Sequence, residues 1–237
     1  TVDAAGNWTV TYAGSEIPAG EYDATVNIAA TDAHGNTDSI TDTFRVDTTE
    51  PEAPGIESVV VTPQGVSAMT IETPDHEATI TEISASHQTT QLADQDDGIS
   101  LGASEYYGFD APLANGSHLV VNETDSAGNS NATFVVLEET GTDAVDLGGL
   151  SGFDIGAIDL GFAQDAELTL DLATLEGLSD ADNNLIIHGS DLDNDSVTIM
   201  GAADSGTSTV IDGKSYDIYT MGDDAQIFIE DGITVTH

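Results

Sequence analysis

Thr31-Asp-Ala-His-Gly-Asn-Thr-Asp-Ser-Ile-Thr-Asp-Thr-Phe-Arg-Val-Asp-Thr-Thr-Glu-Pro-Glu-Ala-Pro54 reads as a tight turn, a strand and a stiff exit. In Asp32-Ala33-His34-Gly35-Asn36, the glycine can take a positive φ, and Asp32 and Asn36 can bond their own backbone. Thr41, Thr43, Phe44 and Val46 are β-branched or aromatic, so the following run predicts a strand. Pro51 and Pro54 donate nothing to a ladder and end it. The pattern returns 93 residues later, when Asp125-Ser-Ala-Gly-Asn129 leads into Ala132 to Leu137 and then Glu138-Glu139-Thr140. A unit recurring at the size of a small β-domain predicts an array of modules.

The 237 residues divide on this reading into three parts. Residues 1–49 read as the C-terminal half of an Ig-like domain, with turns at Gly6-Asn7 and Pro18-Ala19-Gly20. Strands are expected over Trp8 to Tyr12 and over Tyr22 to Ala30, the second with Tyr22, Ala24, Val26 and Ile28 on one face. Residues 50–140 read as an Ig-like β-sandwich. Ile56 to Thr62 and Gly65 to Thr73 form a hairpin around Pro63-Gln64, Ala78 to Ser84 is a strand, and Asn115-Gly116 is a hairpin-type turn. Residues 141–237 read as a β-sandwich with one short helix near 171–178, N-capped by Asp171 and burying Leu172, Leu175 and Leu178. Asp212-Gly213 marks its sharpest hairpin. The expected fold is all-β: tandem Ig-like antiparallel sandwiches with one short helix.

Forty-four acids against two bases, Arg45 and Lys214, give a net charge of −42. Such a chain repels nucleic acid and anionic membrane, both of which require a basic face. No apolar run approaches the roughly 20 residues of a membrane span. With no cysteine, disulfides and thiolate metal sites are excluded. Two explanations of the charge stand: acidic loops that bind a divalent cation, and a solvated acidic surface of halophilic type.

Ca²⁺ takes about six to eight oxygen ligands from carboxylates, amides and carbonyls. Four groups of residues offer them. The first is Asp32, Asn36, Asp47 and Glu50, at the first module junction. The second is Asp125 and Asn129 with Glu138, Glu139 and Asp143, at the next. The third is the turn carrying Asp94, Asp96 and Asp97. The fourth is Asp180, Asp182 and Asn183 with Asp191, Asp193 and Asp195. The run from Asp191 opens like an EF-hand loop but has Ser196 and Ala202 where that loop needs Gly and Glu. Any of these loops can equally be a metal-free Asx turn.

Catalysis has little basis. The six histidines lack metal-ligand spacing, and no Gly-x-Ser-x-Gly elbow occurs. Tyr106, Tyr107 and Phe109 are either a core strand or a small sugar or peptide platform. Trp8 reads as a sheet-covering residue.

The order Asp-Ala-His-Gly-Asn, then Val-Asp-Thr-Thr-Glu-Pro, resembles the Ig-like extender modules of bacterial RTX-type, type I secreted, biofilm-associated giant adhesins. Asn115-Gly-Ser-His-Leu-Val-Val121 before Thr-Asp-Ser-Ala-Gly-Asn is similar to their later modules. So are Asn184-Leu-Ile-Ile-His-Gly189 and Ile211-Asp-Gly-Lys-Ser-Tyr-Asp-Ile-Tyr-Thr220. The resemblance implies Ca²⁺-rigidified sandwiches on the bacterial cell surface, with Asp32, Asp47 and Asp125 as ligands. It implies neighbouring adhesin modules as partners, and a surface peptide or glycan if the segment itself binds. Glu138-Glu139-Thr140 departs from the expected linker, and residues 1–49 match the trailing half of a split domain. The function expected is a structural, non-enzymatic segment serving adhesion and biofilm formation. The alternatives are a ligand-binding module and, more remotely, a fragment of an acidic halophilic enzyme.

Overall fold

The computed structural model describes residues 11, 13, 17–179, 184–190, 194–222 and 225–237, with Gln95 described by its backbone only. The expected Trp8 strand and Gly6-Asn7 turn lie outside them. The chain forms two compact units, Thr1–Glu50 and Pro51–His237.

In the first unit, β1 (Glu21–Thr31) and β2 (Thr37–Asp47) pair antiparallel over eleven residues. Tyr22, Ala24, Val26 and Ile28 share one face, as their spacing predicts. Ile40 and Phe44 lie opposite Ile28 and Ala24 on that face and are 64% and 49% exposed. Arg45 pairs with Glu21 diagonally across the hairpin.

The second unit begins antiparallel. Its strands are β3 (Ile56–Thr62), β4 (Gly65–Glu72), β5 (Glu77–Ile83), β6 (Thr89–Asp94), β7 (Ile99–Ser100), β8 (Ser104–Gly108), β9 (His118–Thr124) and β10 (Ser130–Leu137). β3 and β4 are the expected hairpin. Asn115-Gly116 is not a hairpin turn. It lies in the crossing from β8 in one sheet to β9 in another, with Gly116 at φ +80°.

Beyond Leu137 the pairing changes hand. β11 (Ile155–Phe162) lies parallel to β10, β13 (Asn184–His188) parallel to β11, and β17 (Ala225–Glu230) parallel to β13. A second ladder, β12 (Glu167–Asp171), β14 (Ser196–Met200) and β18 (Thr234–Thr236), is also parallel. The chain therefore coils three times between two facing sheets. An antiparallel hairpin, β15 (Ala203–Ile211) and β16 (Lys214–Met221), is inserted before the third coil and turns at Asp212-Gly213. The layered all-β fold with one short helix is as expected; within it, the strands beyond Leu137 pair largely in parallel where antiparallel pairing is expected. The parallel pairing also removes the expected boundary at 140/141, because one nine-stranded sheet, ordered β15-β16-β17-β13-β11-β10-β9-β5-β6, runs through it. The physical reason is the strand β11, whose Ile155-Gly-Ala-Ile-Asp-Leu-Gly-Phe162 is mostly apolar and buried on both faces, as parallel strands are.

That central sheet feeds two cores from opposite faces. Along β9 and β10, Leu119, Val121, Val135 and Leu137 pack with Met69, Ile71 and Tyr107 of the sheet β3-β4-β8-β7. The alternate residues Val120, Ala132, Phe134 and Val136 join the other core. That core holds Ile158, Leu185, Ile187, Ile227 and Ile229 against Leu168, Leu170, Val197 and Ile199 of the second ladder. The expected helix is present as α1 (Leu172–Leu178). Asp171 Oδ1 accepts the Thr174 N–H at 2.8 Å as its N-cap, Leu175 and Leu178 are buried, and Leu172 packs half-buried on the core.

Candidate functional site

The repeated turn is real and has one construction. In both hairpins the Asp carbonyl accepts from the Gly N–H three residues on, and the Asp N–H donates to the Asn carbonyl. Gly35 and Gly128 sit at φ +86° and +96°, which is the three-residue loop with a glycine bulge. Asp32 Oδ1 accepts from the N–H groups of His34 (2.8 Å) and Asn36 (2.9 Å), and Oδ2 from the Asn36 amide (2.7 Å). Asp125 Oδ1 accepts from Ala127, Gly128 and Asn129, and Oδ2 from the Asn129 amide at 2.7 Å. These bonds, the Asn amide first, hold both carboxyls below the usual range.

The junction sets do not assemble as the sequence reading supposes. Asp32 and Asn36 lie at the turn of β1–β2, whereas Asp47 is registered with Glu21 at its far end. Eleven residue steps at about 3.4 Å carry Asp47 about 37 Å from Asn36. Asp47 instead caps its own exit, accepting from Thr49 N–H at 3.0 Å, with Glu50 three residues on. Likewise, the whole of β10 lies between Asn129 and Glu138. Hairpin geometry is the reason: residues close in a sequence motif are carried apart by an extended strand.

Glu138, Glu139 and Asp143 line one cleft of about 10 Å³ with His118, Thr142 and Gln164. That is room for about one water. Glu138 Oε2 accepts the Gln164 N–H at 2.8 Å. His118 Nδ1 accepts the Leu137 N–H at 3.1 Å, which puts the imidazole proton on Nε2, and burial lowers its pKa.

In the Gln95–Asp97 3-10 turn, Asp94 Oδ1 accepts from Asp96 N–H and Asp97 Oδ2 from Asp94 N–H. Tyr107, 1% exposed, donates its hydroxyl to Glu105 at 2.7 Å. Burial, then Glu105, and then Asp94 and Asp97 raise its pKa. Glu105 is thus a member of this acidic group that loop spacing in the sequence did not reveal. Tyr107 and Phe109 belong to the core, not to a platform.

Asp180, Asp182, Asn183, Asp191 and Asp193 lie outside the described residues. Asp195 is 1% exposed. Its carboxylate accepts from Ala166 N–H (3.0 Å) and Ser190 N–H (3.2 Å), and its carbonyl accepts from Thr234 N–H (2.9 Å). It staples the turns of all three coils.

At the entrance of the second unit, Asn131 donates to the Pro51 carbonyl at 3.0 Å and Thr133 to the Pro54 carbonyl at 2.7 Å. Among the described residues, Asn131 Oδ1 is the one buried side-chain polar atom without a partner. Its cross-strand neighbour Glu123 is 7% exposed, and burial raises its pKa. No three acidic or imidazole groups among the described residues converge closely enough to hold a metal ion. Neither is any described helix long and apolar enough to cross a membrane. Comparison with protein-family models, curated proteins and solved structures finds no match.

Proposed function

We propose that the chain is a structural segment of a bacterial cell-surface adhesin, secreted and stiffened by Ca²⁺, that serves adhesion and biofilm formation. The observation that carries this reading is the recurrence of one Asp-x-x-Gly-Asn hairpin in two separate units of a cysteine-free chain bearing 44 acids. An extracellular β-array without disulfides gains from another staple, and a hard cation suits this composition. Its partners on this reading are neighbouring modules of the same adhesin.

On this reading the cation is held by carboxylates other than those of Asp32 and Asp125. The oxygens of Asp32 and Asp125 are occupied by their own turns. Glu123, buried on the strand beside Asn131, is one of those other carboxylates. The Asp94–Asp97 turn and the cleft lined by Glu138, Glu139 and Asp143 offer further carboxylates, which would have to draw together to hold the ion.

Calorimetry and solution scattering with Ca²⁺ and then with chelator test the reading. Ca²⁺ is expected to raise the melting temperature by several degrees and to narrow the distribution of domain angles. Identical curves under both conditions would discard the cation and leave an acid-rich β-protein.

A further inference from the structure

Four neighbouring strands of the central sheet place one titratable side chain each at the same level. β11 contributes Asp159, β13 His188, β17 Glu230 and β16 Tyr216. Asp159 is registered with His188, and Glu230 with Tyr216. Ile187 pairs with Ile229, so His188 and Glu230 are the next step along the same ladder. Lys214 completes the row, its ammonium 2.8 and 3.0 Å from the two oxygens of Glu230. Glu230 also accepts the Gly189 N–H at 3.2 Å, and His188 Nδ1 shares a 2.8 Å hydrogen bond with the Tyr216 hydroxyl.

The charges do not balance. Asp159 and Glu230 are each 8% exposed, and Lys214 is spent on Glu230. The only other base in the chain, Arg45, belongs to the first unit and pairs with Glu21. Among the described residues, Asp159 accepts one hydrogen bond, from the Gly161 N–H at 2.9 Å. Around it stand His188, Glu230, Lys214 and Tyr216, with Asp212 at the β15–β16 turn. On β10 its register partner is the apolar Val135. The one charged residue of β3, Glu57, is engaged with the Ser104 hydroxyl. A buried carboxylate without its own counter-ion is relieved by taking up a proton. Protonated, it leaves one anion and one cation in the row. Ionised, it repels Glu230 and competes for Lys214.

Lys214 and Tyr216 are the hairpin's contribution to the row. We propose that the row is a proton-operated clasp, closing the β15–β16 hairpin onto the parallel sheet when Asp159 is protonated and loosening it when Asp159 ionises.

The titration behaviour agrees. Burial, against the opposing pull of the Gly161 N–H and Lys214, pushes Asp159 up to about 6. The stability gained from its proton is full below the unfolded carboxyl value and lost as pH rises through about 6. His188 is lowered by burial, although Glu230 pulls the other way. Its contribution is present above the ordinary 6.5 and lost as pH falls through its folded value. The two oppose one another, so His188 subtracts from the tightening that the Asp159 proton gives as pH falls.

Hydrogen exchange of residues 203–221 in the full chain, corrected for the intrinsic pH dependence of exchange, reads the clasp directly. Asp159→Asn keeps the His188 background, and relative to it wild-type exchange is expected to slow about fourfold between pH 8 and pH 5.5. At pH 8 Asp159→Asn should exchange more slowly than the wild type. The same pH dependence in wild type and Asp159→Asn overturns the proposal. Carbon-13 titration of the Asp159 carboxyl in the wild-type protein decides it independently of any variant: a midpoint about two units above an ordinary Asp supports the clasp, and a midpoint near 4 overturns it.

Discussion

The two ends of the Pro51–His237 unit reach the same layered state by different means. From Pro51 to Leu137 the chain pairs largely through hairpins and closes on itself by turns, so its order is local. From Ile155 to Thr236 it coils in parallel. Neighbouring rungs are joined by crossovers and pinned by buried side chains, chiefly Asp195. A turn can carry its own backbone bonds, as Asp125 and Asn129 do. A parallel rung needs a group from another rung to bond its corners, because each crossover leaves N–H groups that no adjacent strand accepts. Acidic residues therefore do opposite jobs in the two regions: they cap exposed turns in the first and staple a dry interior in the second.

The largest test asks whether the two regions are one cooperative body. Met69→Ala in the antiparallel core and Ile158→Ala in the coil core should each cost about 2–5 kcal/mol. Both should lower the same calorimetric transition, since one sheet joins them. Two transitions moving independently would restore a boundary near residue 140. Next in size is Asp195→Ala, which removes the acceptor of the buried Ala166 N–H and one bond to the part-buried Ser190 N–H. It should cost about 2–5 kcal/mol by urea denaturation. A loss well under 1 kcal/mol would deny Asp195 its stapling role. Smaller still are Asp32→Ala and Asp125→Ala. Each should speed amide exchange in its own hairpin only and leave the other unchanged. Loss of order across the coils on Asp125→Ala would contradict the local character of the turn.

Legibility in the sequence follows the same divide. Hairpins announce themselves because turn chemistry is contiguous: Asp32 to Asn36, Pro63-Gln64 and Asp212-Gly213 were readable as turns, as was Asp171 as a helix cap. Parallel pairing is written in no contiguous stretch. β11 has no turn chemistry to announce it, although Asp159, the lone acid within it, marks that something buried and polar lies there. The metal groups were read by proximity along the chain. Strands of eight and eleven residues defeated that for Asp32 with Asp47 and for Asp125 with Glu138, while Glu105 reached Asp94 and Asp97 only through folding.

The order of strands in the central sheet has a consequence for how the chain is made. From β9 through β10, β11 and β13 to β17, each new sheet strand lies beside its predecessor. The sheet can therefore lengthen at one margin as residues emerge, each rung finding its template already laid. The single excursion, β15–β16, must wait at the rim until β17 slips in between, so this detour is the step at which growth would stall.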